Sequence, residues 1–124
     1  MPEASPDIRL KRIYDPPDEG DGARVLVDRL WPRGVPKETA RLTLWMKEIA
    51  PSPELREWFR HDPSRFAEFS RRYRTELAAN KTAIDRIEDL LKLGPVTLLY
   101  AARDSARNHA QVLREYFRSK KEIE

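Results

Sequence analysis

The chain has 124 residues, of which 40% are hydrophobic and 36% are charged, and it contains no cysteine. This length and composition are typical of one globular domain, and the lack of cysteine excludes disulfides, a thiolate nucleophile and a cysteine-based zinc site. No apolar stretch is long enough to span a membrane, and the first ten residues, MPEASPDIRL, lack the basic and apolar regions of a signal peptide. We therefore expect a cytoplasmic protein without a membrane partner.

The charge of the chain bears on nucleic-acid binding. The net charge is +3 and the pI is near 9.3. The charge is spread along the chain, with net values of 0, +1 and +2 for residues 1–50, 51–80 and 81–124. Because most basic residues have acidic neighbours and no segment is a basic block, a nucleic-acid partner is the weaker interpretation.

The first predicted elements are two strands. Residues 8–14, IRLKRIY, alternate in hydrophobicity, and residues 24–31 contain the apolar run Val25-Leu26-Val27, so each segment is typical of a strand. Residues 15–22, DPPDEGDG, contain prolines, glycines and acids but no apolar residue, which predicts a loop between the strands. Residues 42–50 predict a further short extended piece.

Three helices are predicted in the middle of the chain. Ser52-Pro53 is a helix start, with serine as the N-cap and proline at the first helical position, and Asp62-Pro63 repeats that signal. The first of these helices runs to about Arg60. The apolar face of the second consists of Phe66, Phe69, Tyr73 and Leu77. A third helix is expected over about 81–92, ending before Gly94.

The last predicted elements are a strand and a helix. Residues 95–100, PVTLLY, are almost continuously apolar, which is typical of a strand covered on both faces. Asp104 or Ser105 is expected to cap the final helix. The apolar stripe of that helix consists of Ala106, Ala110, Leu113 and Phe117.

The order of these elements predicts an α/β fold. We expect a single domain over residues 8–118, with a small, mainly parallel sheet of three to four strands covered by about four helices. A flexible N-terminal tail is expected at 1–7 and a polar C-terminal tail at 119–124. The loop between the first two strands is shorter than a usual parallel crossover, so these residues leave open whether the two strands are parallel or form a hairpin.

Polar side chains follow two of the predicted strands where each strand ends. The first set lies in DRLWPRG, residues 28–34, and the second in YAARDS, residues 100–105. Open parallel sheets bind ligands beyond the carboxyl ends of their strands, and a strand-to-helix junction presents unpaired N–H groups to an anion. The sequence therefore predicts an anion-binding crevice at this edge. Its candidate ligand-binding residues are Arg29, Trp31, Arg33, Lys47, Tyr73, Tyr100, Arg103, Ser105 and Asn108.

Several of these residues have a purely structural alternative. Asp28 and Arg29 are also able to pair with neighbouring side chains at the sheet end, and Trp31 is suited to core packing. Asp104 and Ser105 are first of all helix caps. For Lys47 we expect an ammonium group within reach of Asp28, Glu48 or the crevice.

Asp28 and His109 are the candidate catalytic residues. Histidine is the side chain whose ordinary pKa lies near neutrality, and without cysteine a general base is best sought among the histidines and carboxylates. His61 and Glu76 are the alternatives, and either histidine also fits a structural role. Two histidines far apart in sequence do not make a metal site, so we expect no metal and no cofactor.

The chain resembles the YeaO-like family of small bacterial proteins, a domain of unknown function (number 488). The segments that carry the resemblance are RIYDPP, GARVLVDRLWPRG, KEIAPSPELREWF, FSRRYRTEL, TLLYAARD and NHAQVLREYF. The resemblance runs from Ile8 to Phe117 and implies a compact α/β fold with parallel first strands, in which residues 15–22 replace a helix of longer relatives. Those relatives carry a Cys-His-Arg element in the region of Asn108-His109 and an Asp-x-Arg element resembling Asp28 and the arginine after it. Because this chain lacks the cysteine, thiol chemistry does not carry over.

Three functions compete at this point. The protein binds or acts on an anionic small molecule, phosphorylated or nucleotide-like, in the crevice; or it is a nucleic-acid-binding module; or it is a structural or partner-binding protein without catalytic activity. In the first case Arg29, Arg33 and Arg103 would hold the anion, Trp31 would form an apolar wall, and Asp28 or His109 would handle a proton. The sequence does not decide whether the protein is an enzyme.

Overall fold

The computed structural model describes the backbone of residues 7–123 and the side chains of residues 7–119. Apart from Asp7, the predicted N-terminal tail lies outside the described residues. The strands are β1 (Ile8–Arg12), β2 (Ala23–Leu26), β3 (Leu44–Trp45) and β4 (Val96–Tyr100). The α-helices are α1 (Lys37–Ala40), α2 (Pro53–Phe59), α3 (Phe66–Ala78), α4 (Lys81–Leu93) and α5 (His109–Ile123). None of these helices combines the length and apolar character needed to cross a bilayer.

The four strands form one parallel sheet in the order β1-β4-β2-β3. β4 is central and pairs with both β1 and β2, so that Leu98 lies beside Leu10 on one side and Val25 on the other. All five residues of β4 are buried, as its apolar run predicts. The predicted α/β fold with a parallel sheet is therefore confirmed, and the first two strands are parallel neighbours of β4, not a hairpin.

The connection from β1 to β2 crosses β4 and is held by Asp21. The backbone carbonyl of Asp21 accepts the hydroxyl proton of Thr97 on β4 at 2.7 Å. Its carboxylate accepts hydrogen bonds from Lys11 on β1, at 2.8 Å, and from Arg24 on β2. The next residue, Gly22, has φ +66°, and a Cβ there would lie 2.2 Å from the carbonyl oxygen of Pro95, so only glycine fits. These contacts allow a crossover that contains only a 3-10 turn, Glu19–Asp21, and no α-helix.

Acid should destabilise the fold through Asp21. Burial acts to raise the pKa of its carboxyl, but hydrogen bonds from Lys11, the backbone of Asp18 and Arg24 outweigh burial, so the pKa lies below the ordinary value of 3.8. A lowered folded-state pKa contributes stability that is present above the unfolded-state value and is lost as pH falls through the folded-state value. We expect the free energy of unfolding in urea to decrease as the pH falls below about 4.

The matched variant is Asp21→Asn, which leaves Arg24 buried without its anion. At pH 7 this change should lower the free energy of unfolding by roughly 3–5 kcal/mol. The variant should also lose less stability than the parent between pH 5 and pH 2, because one titrating group is gone. Parallel pH profiles for the two proteins would contradict the role of Asp21.

One face of the sheet packs against α3, α4 and α5. The predicted apolar face of α3 is confirmed in the main: Phe69, Tyr73 and Leu77 are buried, whereas Phe66 is only partly buried. α3 itself begins at Phe66, after a single 3-10 turn at Pro63–Arg65, because the Asp62-Pro63 signal starts that short turn.

The opposite face is covered mainly by the segment between β2 and β3. Leu26 and Leu99 point to this side, where Trp31, Val35 and Trp45 pack against them. The indole N–H of Trp31 donates to the carbonyl of Val35 at 2.8 Å, and its ring meets that of Trp45 edge-on at 5.3 Å.

Two predicted boundaries were wrong. β2 ends at Leu26, not at residue 31, because the chain turns off the sheet after Val27 donates its N–H to Leu99. α5 begins at His109, not after Asp104 or Ser105, since the side chain of Asp104 closes a local turn by accepting the N–H groups of Ala106 and Arg107. Ala106 is therefore exposed and not part of the apolar stripe.

Phe69 should be one of the costliest residues of the core to truncate. It is 1% exposed and stacks on Phe59 with ring centroids 4.2 Å apart. Phe69→Ala should lower the free energy of unfolding by roughly 3–5 kcal/mol, the usual range for a core phenylalanine. Leu93→Ala is the control, because Leu93 is 87% exposed and its truncation should change stability by less than about 0.5 kcal/mol. Equal losses would mean that the α3 face is wrongly placed.

Candidate functional site

A cleft of about 560 Å³ lies beyond the carboxyl ends of β2 and β4. Its walls come from the residues after β2, the residues before and within α2, one residue of α3, the β4–α5 loop and the first residues of α5. The lining residues are Asp28, Arg29, Leu30, Ala50, Pro51, Arg56, Phe59, His61, Phe69, Ala101, Ala102, Arg103, Asp104, Asn108 and His109. This is the edge at which the sequence predicts a crevice.

Asp28 joins the ends of the two strands. Its Oδ2 accepts the backbone N–H of Ala101 at 3.0 Å, which links the second residue after β2 to the first residue after β4. Its Oδ1 lies 2.9 Å from Nε2 of His109 on α5. On the other side, the backbone carbonyl of Asp28 accepts the indole N–H of Trp45 at 2.8 Å. Asp28 thus holds three walls of the cleft together, and its side chain is only partly exposed.

His109 is the first residue of α5, and hydrogen bonds made by capping side chains in the preceding loop fix its position. Asn108 is buried; its amide donates to the carbonyl of Asp104 at 2.8 Å, and its Oδ1 accepts the N–H of Gln111 at 2.9 Å. The backbone N–H groups of Arg107 and Ala106 bond the Asp104 carboxylate and hold its pKa below the ordinary value. The loop before α5 is therefore ordered by its own side chains, as expected for capping residues.

Three guanidinium groups line the cleft. Arg29 donates from Nη2 to the carbonyl of Pro51 at 3.2 Å, while its Nε is buried without a hydrogen-bond partner. Arg56 and Arg103 are exposed, and neither makes an ion pair or a side-chain hydrogen bond within the part of the chain that the structure describes. The cleft therefore holds guanidinium donors that the protein itself does not use.

The remaining surface of the cleft is largely apolar. Phe59 and Phe69 form a stacked pair behind it, and Ala101 and Ala102 carry no polar side-chain atoms. His61 completes this side, with its ring 6.1 Å from that of Phe59. His61 has φ +56°, a left-handed conformation that costs energy in a residue other than glycine.

The structure brings five predicted site residues together at the cleft. They are Asp28, Arg29, Arg103, Asn108 and His109. Tyr100 is buried at the end of β4, and burial raises the pKa of its hydroxyl. Ser105 is exposed and is not part of the lining.

The other predicted residues lie elsewhere. Trp31 packs on the opposite face of the sheet, and Arg33 is exposed in the same segment, where its carbonyl accepts the hydroxyl proton of Tyr14 at 3.2 Å. The ammonium of Lys47 lies 4.4 Å from the ring centroid of Trp45 instead of reaching Asp28 or Glu48.

Tyr73 is buried under a second, smaller hollow. Its hydroxyl donates to the carbonyl of Ile49 at 2.6 Å, and burial raises its pKa strongly. Glu76, one of the alternative bases, lines the same hollow. Its carboxylate accepts the N–H of Ser52 at 2.8 Å and the hydroxyl proton of Ser52 at 2.6 Å, so it supports the start of α2.

Sequence reasoning missed Arg56 and Phe59. Both belong to α2, which approaches the cleft only because α2 packs on α3. No local motif marks them, since their position depends on contacts between distant segments. Within the described residues, no group of three or more histidine, aspartate or glutamate side chains is placed to hold a metal ion.

Comparison with known proteins identifies the family. Over residues 7–124 the chain matches the family described as "Inactive DUF488-N3 subclade". It is 46% identical, over 113 residues, to "Uncharacterized protein YeaO" of Escherichia coli (strain K12), a span of 91% of this chain and 98% of that protein. The chain belongs to the YeaO-like DUF488 family. The resemblance seen in the sequence is thereby confirmed.

A second DUF488 relative gives the same result. "Uncharacterized protein Rv3073c" of Mycobacterium tuberculosis (strain ATCC 25618 / H37Rv) is 46% identical over 106 residues, which cover 86% of this chain and 89% of that protein. No solved structure is significantly similar to the chain. The relatives are uncharacterised, so membership in DUF488 supplies a family and no substrate.

Asp28 should contribute to stability as well as to the site. Asp28→Ala removes the acceptor of the Ala101 N–H and should lower the free energy of unfolding by about 1–3 kcal/mol, the cost of leaving a buried polar group without its partner. Asp28→Asn keeps an oxygen acceptor, so its free energy of unfolding should decrease by less than that of Asp28→Ala. Asp85→Ala is the control, because Asp85 pairs with the exposed Lys81 across one helical turn, and this variant should lose less than about 0.5 kcal/mol of stability in urea denaturation. An Asp28→Ala protein as stable as the parent would contradict the bridge.

Proposed function

We propose that this protein binds an anionic small molecule, phosphorylated or nucleotide-like, in the cleft and does not convert it chemically. The observation that carries the proposal is the set of guanidinium groups at the cleft, Arg29, Arg56 and Arg103, set against only two carboxylates, Asp28 and Asp104. Guanidinium groups donate paired hydrogen bonds to phosphate and carboxylate oxygens. The cytoplasmic location expected from the sequence remains a prediction.

The two carboxylates of the cleft already have partners within the protein, which strengthens this electrostatic argument. Asp28 is committed to Ala101 and lies against His109, and Asp104 is committed to the turn before α5. Neither carboxylate forms an ion pair with Arg56 or Arg103. An incoming anion would therefore meet unneutralised positive charge, which favours its binding electrostatically.

The size and surface of the cleft favour an organic anion over a bare inorganic one. A volume of about 560 Å³ lies in the range of small-molecule sites, well above the space that a phosphate ion fills. The apolar surface formed by Phe59, Phe69, Ala101 and Ala102 suits an uncharged body such as a base or sugar. A ligand with an anionic group and an apolar part would use both halves of the cleft.

The lining supports binding without turnover. It contains no serine, threonine, cysteine, tyrosine or lysine, so it offers no hydroxyl, thiol or amine nucleophile. The family description, an inactive subclade, agrees with this composition. Asp28 and His109, the groups able to transfer a proton, are engaged with the backbone of Ala101 and Val27.

Adenosine monophosphate is a suitable probe for this proposal. We expect it to bind in isothermal titration calorimetry, and we expect Arg56→Ala and Arg103→Ala each to weaken binding by about 1.5–3 kcal/mol, the usual contribution of a hydrogen bond to a charged group. Arg33→Ala is the control, since Arg33 is exposed outside the cleft and should leave the affinity unchanged. Adenosine should bind more weakly than the nucleotide, because it lacks the anion.

Three outcomes would count against the proposal. Absence of nucleotide binding would remove it, and conversion of the nucleotide would contradict binding without turnover. If an oligonucleotide instead binds with a steep dependence on salt, and Arg33→Ala weakens it as much as Arg56→Ala, the protein is better described as a nucleic-acid-binding module.

A further inference from the structure

The imidazole of His109 has one nitrogen whose protonation is set by the fold. Nε2 lies 2.9 Å from Oδ1 of Asp28 and 3.1 Å from the backbone carbonyl of Val27. A carbonyl oxygen can only accept hydrogen bonds, so Nε2 carries a proton and donates it to Val27, while Oδ1 of Asp28 lies close by without a hydrogen-bond partner. The neutral ring therefore has its free lone pair on Nδ1.

Nδ1 of His109 makes no hydrogen bond with any residue that the structure describes. The ring itself lines the cleft and is 17% exposed. Any change in the charge of this imidazole must therefore take place at Nδ1, on the side that the fold leaves open.

Charged groups from three walls of the cleft line it together with this ring. The end of β2 contributes Asp28 and Arg29, α2 and the turn after it contribute Arg56 and His61, and the β4–α5 loop contributes Arg103 and Asp104. The lining residues before α2, Ala50 and Pro51, and the one from α3, Phe69, are uncharged. The three guanidinium groups and the positive end of the α5 dipole give the empty cleft a positive charge that a bound anion would offset.

We propose that the cleft takes up one proton at Nδ1 of His109 when it binds its anion. The anion offsets the repulsion from the guanidinium groups, so that Asp28 and the ligand together stabilise the imidazolium. The proton comes from solvent, and no covalent bond of the ligand changes. This inference rests on the proposed function and adds the regulation of that site, because anion affinity then falls as pH rises.

The charge state also selects the chemical class of the ligand. Neutral His109 presents a lone pair at Nδ1, which repels a phosphate oxygen, whereas protonated His109 presents an N–H donor. A phosphate monoester, with two negative charges and several acceptor oxygens, gains more from this donor than a monoanion does. Proton-linked binding therefore favours phosphorylated ligands over singly charged ones in the same cleft.

Calorimetry measures the proton directly. Adenosine monophosphate keeps a constant charge between pH 7.5 and 9, so titrations at pH 7.5 in two buffers of different ionisation enthalpy report only protons exchanged by the protein. We expect net proton uptake on binding and an affinity that falls by up to about tenfold per pH unit. His109→Gln, which keeps an amide near Asp28, should abolish both effects.

His61 supplies the matched control, because it is the other of the two histidines of the chain and lines the same cleft. His61→Gln should leave the proton uptake unchanged. With only two imidazoles, nuclear magnetic resonance resolves their C–H signals, and the His109 signal should move to its protonated position when nucleotide saturates the protein at pH 7.5.

The outcomes separate this inference from the proposed function. Nucleotide binding without proton uptake, uptake that persists in His109→Gln, or uptake that is lost in His61→Gln would overturn the inference and leave the binding function standing. A parent protein that binds no nucleotide at all would overturn the proposed function and the inference with it. If His109→Gln fails to fold, the shift of the His109 signal in the parent protein decides the question.

Discussion

The carboxylate of Asp28 accepts the N–H of Ala101 at 3.0 Å and lies 2.9 Å from the imidazole of His109, and the shape of the cleft depends on these two contacts. In a parallel sheet the ends of neighbouring strands separate into different loops, so an additional contact is needed to hold those loops together. Asp28 supplies it for β2, β4 and α5. Because the acceptor is charged and only partly exposed, the N–H···O bond is stronger than a neutral one would be.

The segment DRLWPRG is divided between two sides of the sheet, which explains its mixture of charges and an indole. Asp28 and Arg29 turn toward the cleft, whereas Trp31 packs against Trp45 on the other face. Arg33 stays in solvent beyond that face. A crowded strand end therefore serves two purposes: its first residues line the cleft, and its later residues cover the part of the sheet that no long helix covers.

The cleft and the family membership are consistent with each other. A lining without hydroxyl, thiol or amine groups, in a chain without cysteine, fits a subclade described as inactive. The cleft nevertheless contains guanidinium groups and an oriented imidazole. Residues of this kind bind and discriminate anions without a chemical step, and that combination is the physical basis of the function proposed for this protein.

The sequence by itself determined the elements whose causes are local. The apolar run of β4, the Ser52-Pro53 start of α2 and the spacing of Phe69, Tyr73 and Leu77 each depend on neighbouring residues, and the structure contains all three features. The tertiary structure alone decided which candidates meet. From the sequence, Arg33 was as plausible a ligand-binding residue as Arg103, and no motif pointed to Arg56. Which of these side chains reach the cleft depends on packing between segments far apart in the chain. For β1 and β2 the residues between them left a hairpin open, and only the family resemblance implied parallel strands; the contacts of Asp21 with Lys11, Arg24 and Thr97 stabilise that arrangement.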